Sequence, residues 1–210
     1  MLITEVKTQK KNTNRVSVYI DGKFAFGMTQ VDALYYHIKE GEEISNERYK
    51  QIVEELIYAK ARDKAIKLLG YSAKTEKELL QKLEEEYNSE ICNTVVEMLK
   101  KYGYINDDAY ANAYINDSFR FKGWGSNRIK FELKKKGVDE NKIAEAMENA
   151  DLNEEEKACE ILKKRLKGCT TPDYKERAKH TRYLASRGFD YEVIKTAFLR
   201  LTQDNFDDWS

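Results

Sequence analysis

Hydrophobic positions change period near residue 45. Before it they alternate: Val16, Val18 and Ile20 fall on one face of a strand, and Phe24 and Phe26 continue the alternation on a return strand. Asp21-Gly22 between them supplies two positive-φ positions for a tight hairpin turn. With Ile3 to Lys7 as a further strand, residues 2–27 read as a three-stranded antiparallel piece, too small to stand without a covering helix. Thr29 to Lys39 is the expected cover, with Thr29 as N-cap, Val31, Leu34, Tyr35 and Ile38 on one face, and Gly41 as its end.

From about Asn46 apolar residues recur every three or four positions: Ile52, Leu56 and Ala59, then Leu79, Leu80 and Leu83, then Val95, Met98 and Leu99. Thr75 with Glu78 forms a capping box, Ser89, Asp107, Asp139 and Asp190 stand where helices start, and Gly103, Gly137 and Gly188 stand where they stop. The helical part also repeats. Leu133, Gly137, Asp139, Ile143 and Ala146 match Leu184, Gly188, Asp190, Ile194 and Ala197 at an offset of 51. A looser earlier copy sets Leu83 against Leu133 and Val95 against Ile143, and each copy follows another helix, at about 54–69, 107–121 and 153–167. The expected fold is mainly α. Three tandem three-helix repeats, at 46–105, 106–151 and 152–205, form an elongated curved solenoid behind a small N-terminal α+β extension at 1–45.

Composition narrows the class. Lys and Arg number 37, Asp and Glu 37, so net charge is zero, which weighs against a protein that lives by nonspecific attraction to phosphate. Charged residues make up 35% and proline occurs once, at Pro172, a balance that favours helices. The three cysteines, Cys92, Cys159 and Cys169, have no metal-ligand spacing and read as reduced thiols. The opening MLITEVKTQKK lacks the apolar core of a signal peptide, and no run of about 18 apolar residues could span a membrane. The expected compartment is the cytoplasm. His37 and His180 lie far apart, and P-loops, nucleophile elbows and dinucleotide fingerprints are absent. No catalytic residue, metal or cofactor is expected.

The neutral total conceals sorted charge. Arg120 to Gly137 holds seven basic residues and one acid; Asp139 to Glu156 holds eight acids and one lysine; then Lys163, Lys164, Arg165 and Lys167 follow. On the helix near 126–136, Ile129 and Leu133 mark the core side, Lys130 and Lys134 share one flank, Arg128 and Lys135 the other, and Phe131 points away from Ile129. An aromatic among cations can stack a base, fill a partner's pocket or pack on the next repeat. In the third repeat Lys175, Lys179, Arg182 and Ser186 form a stripe opposite an apolar side of Tyr174, Ala178 and Ala185; it is either a solvated face or a contact to phosphates or acidic protein. Gly103 to Asp107 reads as a structural corner, with Tyr104 and Ile105 as staple and Asn106 or Asp107 as cap.

Three segments, in order, resemble the RecX family: ARDKAIKLLGYSAKTEKELLQKL (61–83), LKKYGYINDDAYA (99–111) and GWGSNRIKFELKKKGV (123–138). The resemblance covers about 59–200, and the N-terminal piece is similar to a variable extension carried by some members. Lys74 stands where arginine is usual, and Tyr87-Asn88-Ser89 replaces a glycine turn. The resemblance implies a non-enzymatic, monomeric regulator that binds the RecA filament on single-stranded DNA, lies in its groove, and inhibits ATP hydrolysis and strand exchange. It also implies a place in homologous recombination, DNA repair and the SOS response. The alternative is a helical-repeat module that binds nucleic acid without RecA specificity.

Overall fold

The computed structural model describes residues 1–10, 12–166 and 172–207; Lys167 and Cys169 lie outside them. The chain divides into two compact units, residues 1–70 with 83–97 and residues 71–82 with 98–210.

In the first unit, β1 (Ile3–Gln9), β2 (Asn12–Ile20) and β3 (Lys23–Thr29) form an antiparallel sheet in that order. Val18 lies opposite Val6 on one side and Phe26 on the other, and Val16, Val18 and Ile20 are all buried. Asp21 and Gly22 have φ of 47° and 77°, the paired left-handed positions that a type I′ hairpin needs. Thr29 accepts from the Asp32 amide and Asp32 from the Thr29 amide, closing a capping box on α1 (Gln30–Tyr35).

That helix is shorter than its sequence pattern predicts and faces the other way. It ends at Tyr35, two residues before His37 takes φ 54°. Ala33 and Ile38 turn inward, whereas Val31, Leu34 and Tyr35 are about three-quarters exposed. The sheet is instead covered by α2 (Asn46–Tyr71), whose Ile52 and Leu56 join its core with Tyr49 and Val53 alongside. A two-turn helix offers too little surface to close a three-stranded sheet. The first half of α2 supplies it, and the Phe26 and Tyr49 rings meet at 5.9 Å. Because Ile52 and Leu56 depend on the sheet, removing residues 1–45 is expected to expose them. Hydrogen exchange should quicken over residues 46–56 while helical circular dichroism of the later repeats persists. Loss of the entire helical signal would show that the sheet supports more than this half-helix.

Further along the same unit, Lys64 pairs with Glu86 at 3.0 Å, and Ala61, Ala65, Cys92, Val95 and Val96 are buried. Burial pushes the Cys92 thiol above its ordinary pKa, so it is packing rather than nucleophile. The helices α3 (Glu76–Glu84), most of which lies in the second unit, and α4 (Ser89–Lys101), most of which lies in the first, complete the first repeat; Asn88 caps α4 by accepting from the Ile91 amide.

The second unit holds residues 71–82, with most of α3, and the second and third repeats. The second has α5 (Asp107–Asp117) running into a π-helical turn, Ser118–Lys122, then α6 (Ser126–Lys135) and α7 (Glu140–Glu148). The third has α8 (Glu154–Leu166), α9 (Tyr174–Ser186) and α10 (Tyr191–Asp207). The offset of 51 is an offset of cores. Leu133 and Leu184, Val138 and Phe189, Ile143 and Ile194, and Ala146 and Ala197 are all buried. Gly137 and Gly188 take φ of 87° and 88° and end α6 and α9 alike: the glycine amide reaches back three residues and the next amide five. This is a Schellman closure, and the residue after each glycine, Val138 or Phe189, enters the core.

The inward side of α9 also differs from the sequence reading. Tyr174 and Ala185 are exposed, and the buried residues are His180 and Leu184, one turn apart. His180 Nδ1 lies 3.4 Å from the Arg165 Nε that donates to it. Burial, then the nearby Arg165 and Lys179 charges, hold its pKa below the ordinary histidine value, so it packs as a neutral ring.

Candidate macromolecular interface

Two equivalent joints lie within the second unit, the first tying α3 to the second repeat and the other tying the second repeat to the third. At the first, the Thr75 hydroxyl donates to the Lys136 carbonyl at 2.7 Å, and the Glu76 amide donates to the Asp107 carboxylate at 3.0 Å. Lys136 Nζ reaches Glu78 at 2.6 Å. Burial works against the Lys136 charge, but the Glu78 carboxylate and Tyr110 outweigh it and hold the ammonium above its ordinary pKa. At the second joint the Gly125 amide donates to the Arg187 carbonyl at 2.9 Å, the Asn127 amide to the Gly188 carbonyl at 3.2 Å, and the Ser126 amide to the Glu154 carboxylate. In both, the first turn of a repeat's middle helix finds partners on the following repeat: a carboxylate at its opening helix and backbone at its middle helix's C-terminus. The amides that a helix leaves unpaired at its N-terminus become the fastening.

Glycine lets the joints close. A Cβ at Gly188 would lie 2.3 Å from the Arg128 nitrogen, and one at Gly137 would lie 2.2 Å from Lys77 Cδ. Arg128, a candidate partner contact in the sequence, also takes part in this joint: its Nη1 donates to the Ser186 carbonyl at 3.1 Å and its guanidinium lies 4.3 Å from the Trp124 ring centroid. The corner at Gly103 is likewise part structure and part joint. Ile105 is buried, but Tyr104 is 64% exposed and does not staple the core. Asn106 is the cap, leaving Asp107 free to receive Glu76.

The remaining candidates on α6 are at the surface. Phe131 is 65% exposed. Lys130 and Lys134 line with it a depression of about 270 Å³ that also touches Glu140, Ile143 and Ala144. Lys135 lies one turn beyond Phe131 and is exposed. Lys134 is drawn onto Glu140 in an exposed ion pair, so Lys130 and Lys135 are the freer charges. On α9, Lys175, Lys179 and Arg182 are all exposed along one stripe; Arg182 Nε donates to its own helix at the Ala178 carbonyl, 3.2 Å away. Among the described residues no hydrogen bond or ion pair joins the α6 set to the α9 set, and no group of His, Cys, Asp or Glu side chains is gathered to hold a metal ion. No helix among them is long and apolar enough to cross a membrane.

Family comparisons fall on this framework piece by piece. Residues 1–45 match the Regulatory protein RecX N-terminal domain, 61–99 the first three-helix domain of RecX, 106–147 the second and 153–198 the third. The chain belongs to the RecX family. The match reaches beyond the 59–200 of the sequence resemblance, and makes the N-terminal sheet a family domain. Regulatory protein RecX of Clostridioides difficile is 34% identical over 99% of this chain and 98% of its own, and that of Clostridium beijerinckii is 32% identical over 99% of both. A crystal structure of regulatory protein RecX superposes with a TM-score of 0.65 at 25% identity, covering 92% of this chain and 98% of its own. RecX from Lactobacillus salivarius gives 0.62 at 26% identity over 69% and 96%.

Against the family's basic-helix motif, the structure adds aromatics that charge counting passed over. Tyr110 and Tyr114 stack at 6.0 Å with Lys136 5.6 Å from each ring, and Lys122 lies 4.6 Å from both Tyr114 and Trp124. Their i, i+4 spacing on α5 is visible in the sequence. That they would meet Lys136 from the end of α6 is not.

Proposed function

We propose that this protein is a non-enzymatic, cytoplasmic regulator that binds the RecA filament on single-stranded DNA and mainly inhibits its ATPase and recombinase activity. It would do so as a monomer without a cofactor, in recombination, DNA repair and the SOS response. The observation that carries the reading is Phe131, a large aromatic left 65% exposed beside Lys130, Lys134 and Lys135. An exposed aromatic on a helix fastened at both ends can anchor in a partner's pocket, while the surrounding lysines steer the encounter toward an acidic surface. Repeat boundaries at 46–105, 106–151 and 152–205 belong to the same proposal.

The test is RecA ATP hydrolysis on single-stranded DNA with and without this protein. Hydrolysis should fall at substoichiometric to stoichiometric levels, and fall less as salt rises. An unchanged rate at every ratio would overturn the reading. If affinity for bare single-stranded DNA equals that for the assembled filament, the protein is instead a general nucleic-acid-binding module.

A further inference from the structure

The π-helical turn at the end of α5 opens a groove that the sequence stripes do not include. Its lining contains six cations, Arg120, Lys122, Lys157, Lys164, Arg165 and Arg187, against one carboxylate, Glu160, around a cavity of about 290 Å³. In a chain of zero net charge this is a local excess, and a groove concentrates such a field toward one ligand sign. Glu160 is used by Lys157, 3.4 Å away. The other five cations form no ion pair among the described residues; aromatic faces hold three of them. Arg165 lies 3.7 Å and Arg187 5.1 Å from the Tyr183 ring centroid, and Lys122 lies 4.6 Å from Trp124. An aromatic ring supplies no counter-charge to the cation it holds, whereas a carboxylate neutralises the pair. The gathered repulsion is thus left for an anion to relieve.

Beside these cations is an apolar group with no covering. Phe121 is 83% exposed, on the same turn as Arg120 and Lys122. The π turn gives way at Gly123, with φ 62°, and such turns in otherwise α-helical segments recur at functional sites. Cations spaced along a groove with an unburied aromatic at its edge match the two parts of a single-stranded nucleic acid: phosphates for the cations and a base face for the ring.

We infer that this groove between the second and third repeats binds single-stranded nucleic acid directly, with Arg120 and Lys164 on phosphodiesters and Phe121 stacked on a base. Arg187, whose guanidinium also donates to the Lys122 carbonyl, supports the wall. The inference does not rest on the recombinase reading, because it is measured with no recombinase present.

The test is fluorescence anisotropy of a labelled oligo-dT with the full chain across a salt series. The double variant R120E/K164E should bind at least about tenfold more weakly at low salt, and its log–log salt slope should fall by about 1.4, two contacts at about 0.7 each. F121A should lose about fivefold or more with the slope unchanged, because stacking releases no counterion. K23E/K39E, a double reversal of exposed lysines in the N-terminal domain, should bind as the wild type does. Thermal melting of each variant separates loss of contact from loss of fold. The inference is overturned if the wild type does not bind the oligonucleotide at low salt, or if folded R120E/K164E binds it at wild-type strength. Loss of recombinase inhibition in R120E/K164E with unchanged oligonucleotide affinity would also overturn it, assigning the groove to an acidic protein surface.

Discussion

Gly188→Ala is expected to lower the stability of the second unit by roughly 3 to 4 kcal/mol. Left-handed backbone costs a residue with a Cβ about 1–2 kcal/mol. Gly188 has φ of 88°, so that strain applies in full. The larger part is steric: the new carbon would lie 2.3 Å from the Arg128 nitrogen and 2.4 Å from its Cβ, both fixed on α6. Relieving this moves α6 away from α9. The bonds from Gly125 to the Arg187 carbonyl and from Asn127 to the Gly188 carbonyl then lengthen, each worth about 1 kcal/mol. Gly22→Ala is the control, because Gly22 has φ of 77° with nothing within 4 Å of a Cβ and should show the backbone strain alone. Urea unfolding of the two variants checks the comparison. Equal losses would mean that the joint does not resist separation as its geometry requires.

Reversing Lys130, Lys134, Lys175, Lys179 and Arg182 to glutamate is expected to weaken inhibition of RecA by roughly an order of magnitude at low salt, with helicity intact. All five are exposed, and exposed charges contribute little to folding. The Lys134–Glu140 pair, with both side chains about 70% exposed, is one such weak contribution. Leu133→Ala is the contrasting case. Leu133 is fully buried in the second repeat's core, and its truncation should cost about 2–5 kcal/mol and remove inhibition and helicity together. Inhibition by the five-fold variant at wild-type strength across a salt series would exclude the charged faces. The contact would then fall to Phe131, and Phe131→Ala would separate that case by lowering inhibition without altering its salt dependence.

Much of this protein was fixed by local physics. The alternation of Val16, Val18 and Ile20, the Asp21-Gly22 turn and the helix-ending glycines depend on backbone preferences that each residue carries with it, so sequence alone determined the sheet, the helices after α1 and the repeat of 51. What it could not determine was the direction in which ambiguous surfaces face. Val31, Leu34 and Tyr35 form a plausible inward stripe until α2 is seen to take the place they would have filled. His180 rather than Tyr174 or Ala185 goes inward because Leu184 is already committed to the core one turn away. The same limit applied to charge. Arg128 and Lys130 are two residues apart on one helix, yet the first is fastened to Ser186 and Trp124 and the second meets solvent. The groove at Arg120 and Lys164 joins residues 44 positions apart. A helix's own periodicity sets its faces, but what each face meets is set by neighbours that arrive from elsewhere in the chain, and only the packed repeats decide that.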